Sequence, residues 1–453
     1  MPPSTAAASA GLLQPAQLWA QLRRLVPGRL PLYCAVAWSG GLDSTVLLHQ
    51  MTALRRLHPR QLRLRALHVD HHLQAASVQF RAHCQRLARS WRVALTVLDA
   101  RVEVPRGASI EEAAREARYA CWRAALQPGE LLITAQHADD QLETALLALL
   151  RGAGPAGLAA MPAVAALGRG LLVRPFLSVP RADMARYAES RKMPVVEDPS
   201  NAQLRFDRNF LRLQVLPLLR QRWPAAAATV SRSARHCATA ALLLARRAAE
   251  DLDMAADGPD LDLTVLRRWP PERAQAVLRA WFARHDLRSP ETRHLREILR
   301  MQQARPDAQP QLVLPQARVR AHAGRLILQR AAPSAAELPA GPLEWAWRRK
   351  PLQLPDARAL AIVPDAHGDL NLAALPRTLA VYFLEGLPAR GPSLRKRLQA
   401  LQVPQWERNR VPLLCEPGDA AGTLLAMGDL WLHERLSARG DGRRGRIVWQ
   451  GWR

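Results

Sequence analysis

The chain has 453 residues, 49% hydrophobic and 23% charged, which is enough for about two to four globular domains and excludes a globally disordered polymer. Its formal net charge is +25, from 64 basic against 39 acidic side chains, and only Lys192, Lys350 and Lys396 among the basic ones are not arginine; this excess suits a polyanion, nucleic acid first and an anionic membrane second. No apolar run is long enough for a transmembrane helix, the small apolar start lacks the basic region of a signal peptide, and the five scattered cysteines form no CxxC pair, so a disulfide scaffold, a zinc ribbon and a cysteine-held iron–sulfur cluster are disfavoured and a reducing, cytoplasmic setting is expected.

In chain order, Leu32–Trp38 reads as a buried strand, Asp43–Leu57 as a helix and Leu64–Val69 as a second strand. Val78–Arg92 has helical spacing and Val93–Leu98 reads as a strand. Ser109–Leu126 is a helix whose Ser109 and Glu112 have capping-box spacing. Leu131–Ala135 is a further strand, followed by a helix from Asp139 to Leu150. This alternation predicts an α/β fold, a Rossmann-like parallel sheet with helices on both faces, which binds ligands at the carboxyl ends of its strands. The next part is Ala-, Leu- and Arg-rich, with helices expected over Ala225–Asp253, Pro271–His285 and Thr292–Gln303 and strands at Leu312–Leu314 and Arg318–Leu328. Ala331–Pro342 is the best linker candidate. Short strands at Leu379–Leu384 and Leu424–Leu432 and a basic helix at Leu394–Gln402 complete the chain.

These changes of texture suggest three domains: 1–220, a mostly helical middle domain 221–335, and a small α+β domain 336–453. Residues 1–220 carry 28 basic and 16 acidic side chains, 221–330 carry 19 and 11, and 331–453 carry 17 and 12. The excess is spread over all three, as a large ligand touching several domains requires and a disordered basic tail does not.

The most informative segment is Ser39-Gly40-Gly41-Leu42-Asp43-Ser44, where a strand runs through a glycine turn into a helix. Glycines let the backbone approach a ligand, and the free amides and positive dipole end of the helix favour an anion. Asp43 is a carboxylate in a phosphate site, which is reasonable if Mg²⁺ lies between them. The spacing is not that of a Walker A loop, and the bland alternative is a tight turn with a capping Asp. At the next strand end stand His137, Asp139 and Asp140, with Glu143 one turn on. Helix-dipole capping explains one of these carboxylates; together they make an acidic cluster able to hold a cation such as Mg²⁺ or an ammonium group.

The glycine turn resembles the SGGxDS pyrophosphate loop of the N-type ATP pyrophosphatases, which implies ATP cleavage between the α- and β-phosphates with AMP placed on a substrate oxygen. Three further motifs narrow the resemblance: His68-Val69-Asp70-His71, Gln136-His137-Ala138-Asp139-Asp140-Gln141-Leu142-Glu143-Thr144, and Glu197-Asp198-Pro199-Ser200-Asn201 with Arg208-Asn209 and Arg212. With Arg151-Gly152 to Gly157-Leu158 and Met161, and with the C-terminal Val403-Pro404-Gln405-Trp406-Glu407-Arg408-Asn409-Arg410-Val411-Pro412-Leu413-Leu414, the chain resembles the tRNA(Ile)-lysidine synthases. Gln136 and Phe210 depart from that pattern, outside the loop.

The resemblance implies a carbon–nitrogen ligase that joins L-lysine to C2 of the wobble cytidine of an isoleucine tRNA with a CAU anticodon, at the expense of ATP going to AMP and pyrophosphate. It implies ATP on Ser39–Ser44, Mg²⁺ on Asp43 and Asp140, and catalysis by Asp43, Asp139, Asp140, His137 and Arg208. Arg115, Arg118, Arg212, Arg395, Lys396, Arg397, Arg408 and Arg410 are the candidate tRNA contacts. For Arg115 and Arg118 a solvated helix face is an equal alternative, and Arg208 or Arg212 could hold phosphate or the adenylate. His68 and Asp70 are expected to line the nucleotide pocket, Asn201 and Asn209 to fix loops. No membrane is expected, and a homodimer is among the expected partners. The rivals are a pyrophosphate-loop tRNA thiolase, a small-molecule enzyme such as an NAD or GMP synthetase, and a non-catalytic tRNA-binding protein; the missing CxxC, the +25 charge and the intact loop weigh against them in turn.

Overall fold

The computed structural model describes residues 13–71, 77–104, 110–196, 199–303, 310–330, 338–339, 341–355, 358–387, 391–418, 423–438 and 443–449. Ser109, Glu197 and Asp198, singled out above, lie outside these. The chain divides into two compact units, Met1–Leu243 and Leu244–Arg453.

The first unit opens with helix α1 (Pro15–Leu25), whose Pro15 pre-sets the first helical turn. Then follow β1 (Leu32–Ala37), α2 (Leu42–Leu57), β2 (Leu62–Asp70), α3 (Ser77–Ser90), β3 (Ala94–Asp99), α4 (Ile110–Ala125), β4 (Leu131–Ile133) and α5 (Ala138–Leu150). A hairpin of β5 (Val164–Leu167) and β6 (Gly170–Val173) precedes α6 (Arg181–Ser190) and α7 (Leu216–Arg222), and α8 (Ala226–Ala255) runs across the unit boundary. The six strands form one sheet in the order β3-β2-β1-β4-β6-β5. All pairs are parallel except β5 with β6.

Alternate residues of the strands enter different cores, as the period of two requires. Cys34 and Val36 of β1, with Leu131 and Ile133 of β4, pack with Leu18, Leu22, Val46, Met51 and Met184 from α1, α2 and α6. Ala35, Leu67 and Leu132 pack on the other face with Trp122 and Leu126. Helices thus cover both faces. The chain leaves β1 toward β2 on one side and reaches β4 on the other, so the loops after β1 and β4 open at the reversal of strand order, where such sheets bind ligands.

The second unit contains α9 (Pro271–Arg284) and α10 (Thr292–Arg300), packed against an antiparallel sheet in the order β7-β8-β11-β10-β9. Its strands are β7 (Ala256–Asp257), β8 (Asp260–Asp262), β9 (Gln311–Val313), β10 (Ala317–His322) and β11 (Arg325–Arg330). The stretch expected as one strand from Arg318 to Leu328 is a hairpin, because Ala323 and Gly324 both take positive φ and reverse the chain. Beyond residue 340 two antiparallel sheets of five and four strands share one core around Leu379, Val381, Phe383, Leu413 and Met427. Helix α11 (Gly391–Ala400) packs on it through Leu394 and Leu398. No helix among the described residues is long and apolar enough to cross a membrane.

Candidate active site

Strand β1 ends at Ala37, and the backbone N–H of Trp38 still donates to Leu67 O at 2.8 Å, which fixes where the loop begins. Trp38 is buried, and its Nε1 donates to Thr45 Oγ1 at 3.1 Å, tying the loop's entry to the first turn of α2. Between them Gly40 takes φ +88°, a left-handed conformation that favours glycine, and its carbonyl accepts from Val196 N at 3.1 Å. Ser39 and Ser44 lock the turn: Ser39 N donates to Ser44 Oγ at 3.2 Å and Ser44 Oγ donates to Gly41 O at 3.1 Å. Helix α2 then starts from Gly41 with no side chain capping it. An uncapped helix N-terminus at the point of strand reversal is a ready anion site.

The loop after β4 supplies the opposite charge. His137 is the N-cap of α5, and its Nδ1 accepts from Asp140 N at 3.3 Å while Asp140 Oδ2 accepts from His137 N at 3.0 Å. Accepting at Nδ1 leaves the ring proton on Nε2, which lies 3.7 Å from Asp43 Oδ2 and 3.4 Å from Asp140 Oδ2. Burial lowers the His137 pKa, but the Asp43 contact and the charges of Asp140, Asp43 and Asp139 outweigh it and hold the ring above the usual histidine value. Burial likewise raises the Asp43 pKa, and His137, Arg181 and Arg212 outweigh it and bring the carboxyl below the ordinary range. Asp43 Oδ1 is buried without a hydrogen bond, 3.7 Å from Arg181 Nε. Among the described residues no group of three or more His, Cys, Asp or Glu side chains is arranged to hold a metal. Mg²⁺ commonly takes one or two carboxylates and completes its shell with water and phosphate oxygens. The Asp43 Oδ1 oxygen, without a hydrogen bond and beside a phosphate loop, fits that pattern.

Arginines form the next layer. Arg212 clamps Glu143 through Nε to Oε1 at 2.7 Å and Nη2 to Oε2 at 2.9 Å, and Nη2 also reaches Asp140 Oδ1 at 3.3 Å. Arg208 Nε lies 3.1 Å from the same Glu143 carboxylate and its Nη2 donates to Thr144 Oγ1 at 3.0 Å. Arg212 stands in a short π-helix, Leu211–Val215, an irregularity often found at functional sites. Sequence reasoning missed two members. Arg220 pairs with Asp139, and Arg181 donates its backbone N–H to Asp139 Oδ2 at 2.7 Å. The only signal for Arg181 was its place just after a proline at a helix start.

A cleft of about 1800 Å³ opens beside this web. Asp139, Glu143, Arg181, Arg212 and Arg220 of the web line it, and so do Arg24 of α1 and Ser231, Arg232 and Arg235 of α8. His68 is not in this cleft: it is buried, with Nδ1 3.0 Å from Trp38 O, under the loop's entry. Asp70 is buried too. Asn209 donates to Gln203 O at 3.0 Å and ties its own loop.

The other expected tRNA contacts stand apart from this web. Arg115 lies 5.2 Å from the Tyr119 ring centroid, and Arg118 Nε donates to His71 Nε2 at 3.1 Å. In the second unit Arg395, Lys396 and Arg397 are exposed on α11, Arg397 over Trp431. Arg408 turns inward, donating to Val403 O at 3.0 Å, and Arg410 is half-buried. Trp406 is covered by Arg320 at 4.2 Å and by the edge of His322.

Comparison with known proteins agrees with this geometry. Residues 17–219 match the family described as PP-loop domain, 261–327 the TilS substrate binding domain, and 387–449 the TilS substrate C-terminal domain. Curated relatives named tRNA(Ile)-lysidine synthase include those of Coxiella burnetii, 39% identical over 90% of this chain and 90% of its own, and Pseudomonas putida, 40% identical over 90% and 96%. A third, from Alkalilimnicola ehrlichii, is 41% identical over 90% and 91%. Among solved structures, the U34-tRNA thiolase NcsA of Methanococcus maripaludis overlaps with a TM-score of 0.40 at 12% identity, covering 48% of this chain and 76% of that one. On the strength of near-full-length relatives at about 40% identity and of all three domain matches, the chain belongs to the tRNA(Ile)-lysidine synthase family.

Proposed function

We propose that the protein uses ATP to attach free L-lysine to C2 of the wobble cytidine of an isoleucine tRNA with a CAU anticodon, as a carbon–nitrogen ligase releasing AMP and pyrophosphate. The observation that carries this is the uncapped N-terminus of α2 at the strand reversal, with Asp43, His137 and Asp140 within reach of it. ATP phosphates rest on the amides and hydroxyls of Ser39–Ser44. The C2 carbonyl oxygen of the cytidine attacks the α-phosphorus and pyrophosphate leaves. Asp43 and Asp140 would hold Mg²⁺, which would supply charge neutralisation for that leaving group. His137 keeps Asp43 ionised and oriented through Nε2. The neutral ε-amine of lysine then attacks C2, AMP departs, and the amine proton passes to a carboxylate or to the adenylate.

Asp139, Asp140 and Glu143 are the proposed carboxylates for the lysine ammonium. That ammonium competes with Arg220 at Asp139 and with Arg208 and Arg212 at Glu143, so lysine enters a web whose charges are already balanced. Arg208 is positioned to reach a phosphate if it releases Glu143. Exposed Arg115, Arg118, Arg395, Lys396 and Arg397 are proposed to meet tRNA phosphates. Residues 1–220 form the catalytic part, 221–335 the substrate-binding part and 336–453 the tRNA-binding part, in a cytoplasmic protein.

Mass spectrometry of the tRNA after incubation with ATP and isotope-labelled lysine tests this. The expected product carries one labelled lysine at the wobble cytidine, with pyrophosphate release requiring the tRNA. Asp43→Asn is expected to lower the rate at least about 100-fold, as loss of a charge-stabilising group does. Full activity in that variant, or a product carrying sulfur in place of lysine, refutes the assignment.

A further inference from the structure

The wall of the cleft formed by α1 and α8 carries positive charge that the catalytic web does not use. On α1, Gln17, Gln21 and Arg24 follow one another at three- and four-residue steps, and on α8 Ser231 and Arg232 lie three and four residues after Ala228 and four and three before Arg235, so each helix turns one face to the cleft. Among the described residues, the acidic side chains lining the cleft are Asp139 and Glu143, already paired with Arg220 and Arg212. Among the described residues, Arg24, Arg232 and Arg235 have no ion-pair partner; Arg24 donates to the neutral Gln21. Ser231 lies in the same wall, and its Oγ is buried with no hydrogen-bond partner, a costly state for a hydroxyl unless a ligand completes it. The volume of about 1800 Å³ also exceeds the roughly 300–1,000 Å³ of sites built for one small molecule.

We propose that this wall binds the phosphodiester backbone of an RNA strand, with Arg24, Arg232 and Arg235 as phosphate contacts and Ser231 as a hydrogen-bond donor to one of them. The wall holds the strand whose base enters the acidic web. A free amino acid brings one carboxylate and needs one guanidinium; three uncompensated guanidiniums on two helices match a run of phosphates. The identity of the RNA rests on the function proposed above, whereas backbone binding does not.

The test is fluorescence anisotropy of the full-length protein with a labelled anticodon stem–loop of the CAU isoleucine tRNA over a salt series. For Arg24→Ala/Arg232→Ala/Arg235→Ala the slope of log affinity against log salt is expected to fall by about 2 in magnitude, at about 0.7 per lost contact, with binding about tenfold weaker or more. The triple Lys variant keeps the charges and is expected to keep the slope. KM for ATP and for lysine is expected to stay within about twofold, since uniform binding is lost for the RNA alone. An unchanged slope in the Ala variant overturns the proposal, as does a raised KM for lysine with unaltered RNA affinity, which marks an amino-acid subsite. If the Ala variant does not fold, Arg232→Gln and Arg235→Gln are measured singly, each expected to lower the slope by about 0.7; no change in either overturns it equally. If the wild type makes no lysidine but the slope difference holds, the proposed function fails and the RNA wall stands.

Discussion

His137 joins two roles in one ring. Its Nδ1 caps α5 by accepting from Asp140 N, and its Nε2 faces Asp43 across the strand reversal. An Asn at this position can still accept the Asp140 amide, whereas Ala cannot. His137→Ala is therefore expected to lose about 1 kcal/mol or more of stability with the cap, and His137→Asn to keep most of it, while both lose lysine incorporation. Thermal denaturation beside the labelled-lysine assay separates the roles; if Asn restores both, the ring acts only as a cap. At this scale the sequence was readable where function sits on local patterns. Ser39–Ser44, His137, Asp139 and Asp140 lie at strand ends, where the strand–loop–helix rhythm exposes them. Arg181 and Arg220 were not readable, because they meet Asp139 across 42 and 81 residues and no periodicity encodes a pairing at that range.

The phosphate loop is held as an element by its underside. A Cβ placed on Gly40 would stand 3.1 Å from Cys84 Sγ, and the positive φ strains any other residue there. Burial pushes the Cys84 thiol up to about 12, so this sulfur acts as packing and not as a nucleophile. Gly40→Ala is expected to cost about 1–3 kcal/mol from the backbone alone and to raise KM for ATP. Adding Cys84→Ala relieves the contact but not the backbone, so the double variant should recover only part of the loss in a chemical denaturation series. Full recovery would show that φ is not the constraint. The core elements from β1 to α5 were legible because each apolar run has one period. Helix α1 was not among the expected elements, since its buried Leu18 and Leu22 are sparse among polar neighbours. The β10–β11 reversal was hidden because Ala323-Gly324 lacks the usual Asn-Gly or Asp-Gly signal.

Over the whole molecule, the segment that reads as a basic recognition motif, Trp406 to Arg410, works inside the second unit. Glu407 is buried and accepts from Gln329 Nε2 and Arg358 Nη1, both at 3.0 Å. Trp406 lies under Arg320 of β10, whose pKa burial pushes down to about 10, with neighbouring Arg318 adding to the shift. These contacts fasten the sheet of β7–β11 to the sheets beyond residue 340. Truncating one partner of a buried ion pair costs about 3–5 kcal/mol. Glu407→Ala is expected to split the unfolding of residues 244–453 into two calorimetric transitions; a single transition at unchanged temperature would remove this role. Net charge, by contrast, was informative from composition alone: it pointed to a polyanion, and the matched tRNA(Ile)-lysidine synthase family agrees, but it could not separate arginines that fasten the fold from arginines that face the cleft.

Among the described residues, the cleft is lined by six arginines and no lysine. A guanidinium stays protonated far above neutral pH and offers no lone pair to an electrophile, whereas a buried ammonium readily gives up its proton and becomes a nucleophile. For chemistry that activates a carbon and awaits an amine, a lysine in that wall would compete with the substrate it resembles and tether the RNA to the protein. Positive charge supplied solely as guanidinium holds the RNA without joining the reaction, which leaves the incoming amino acid as the amine the activated carbon meets.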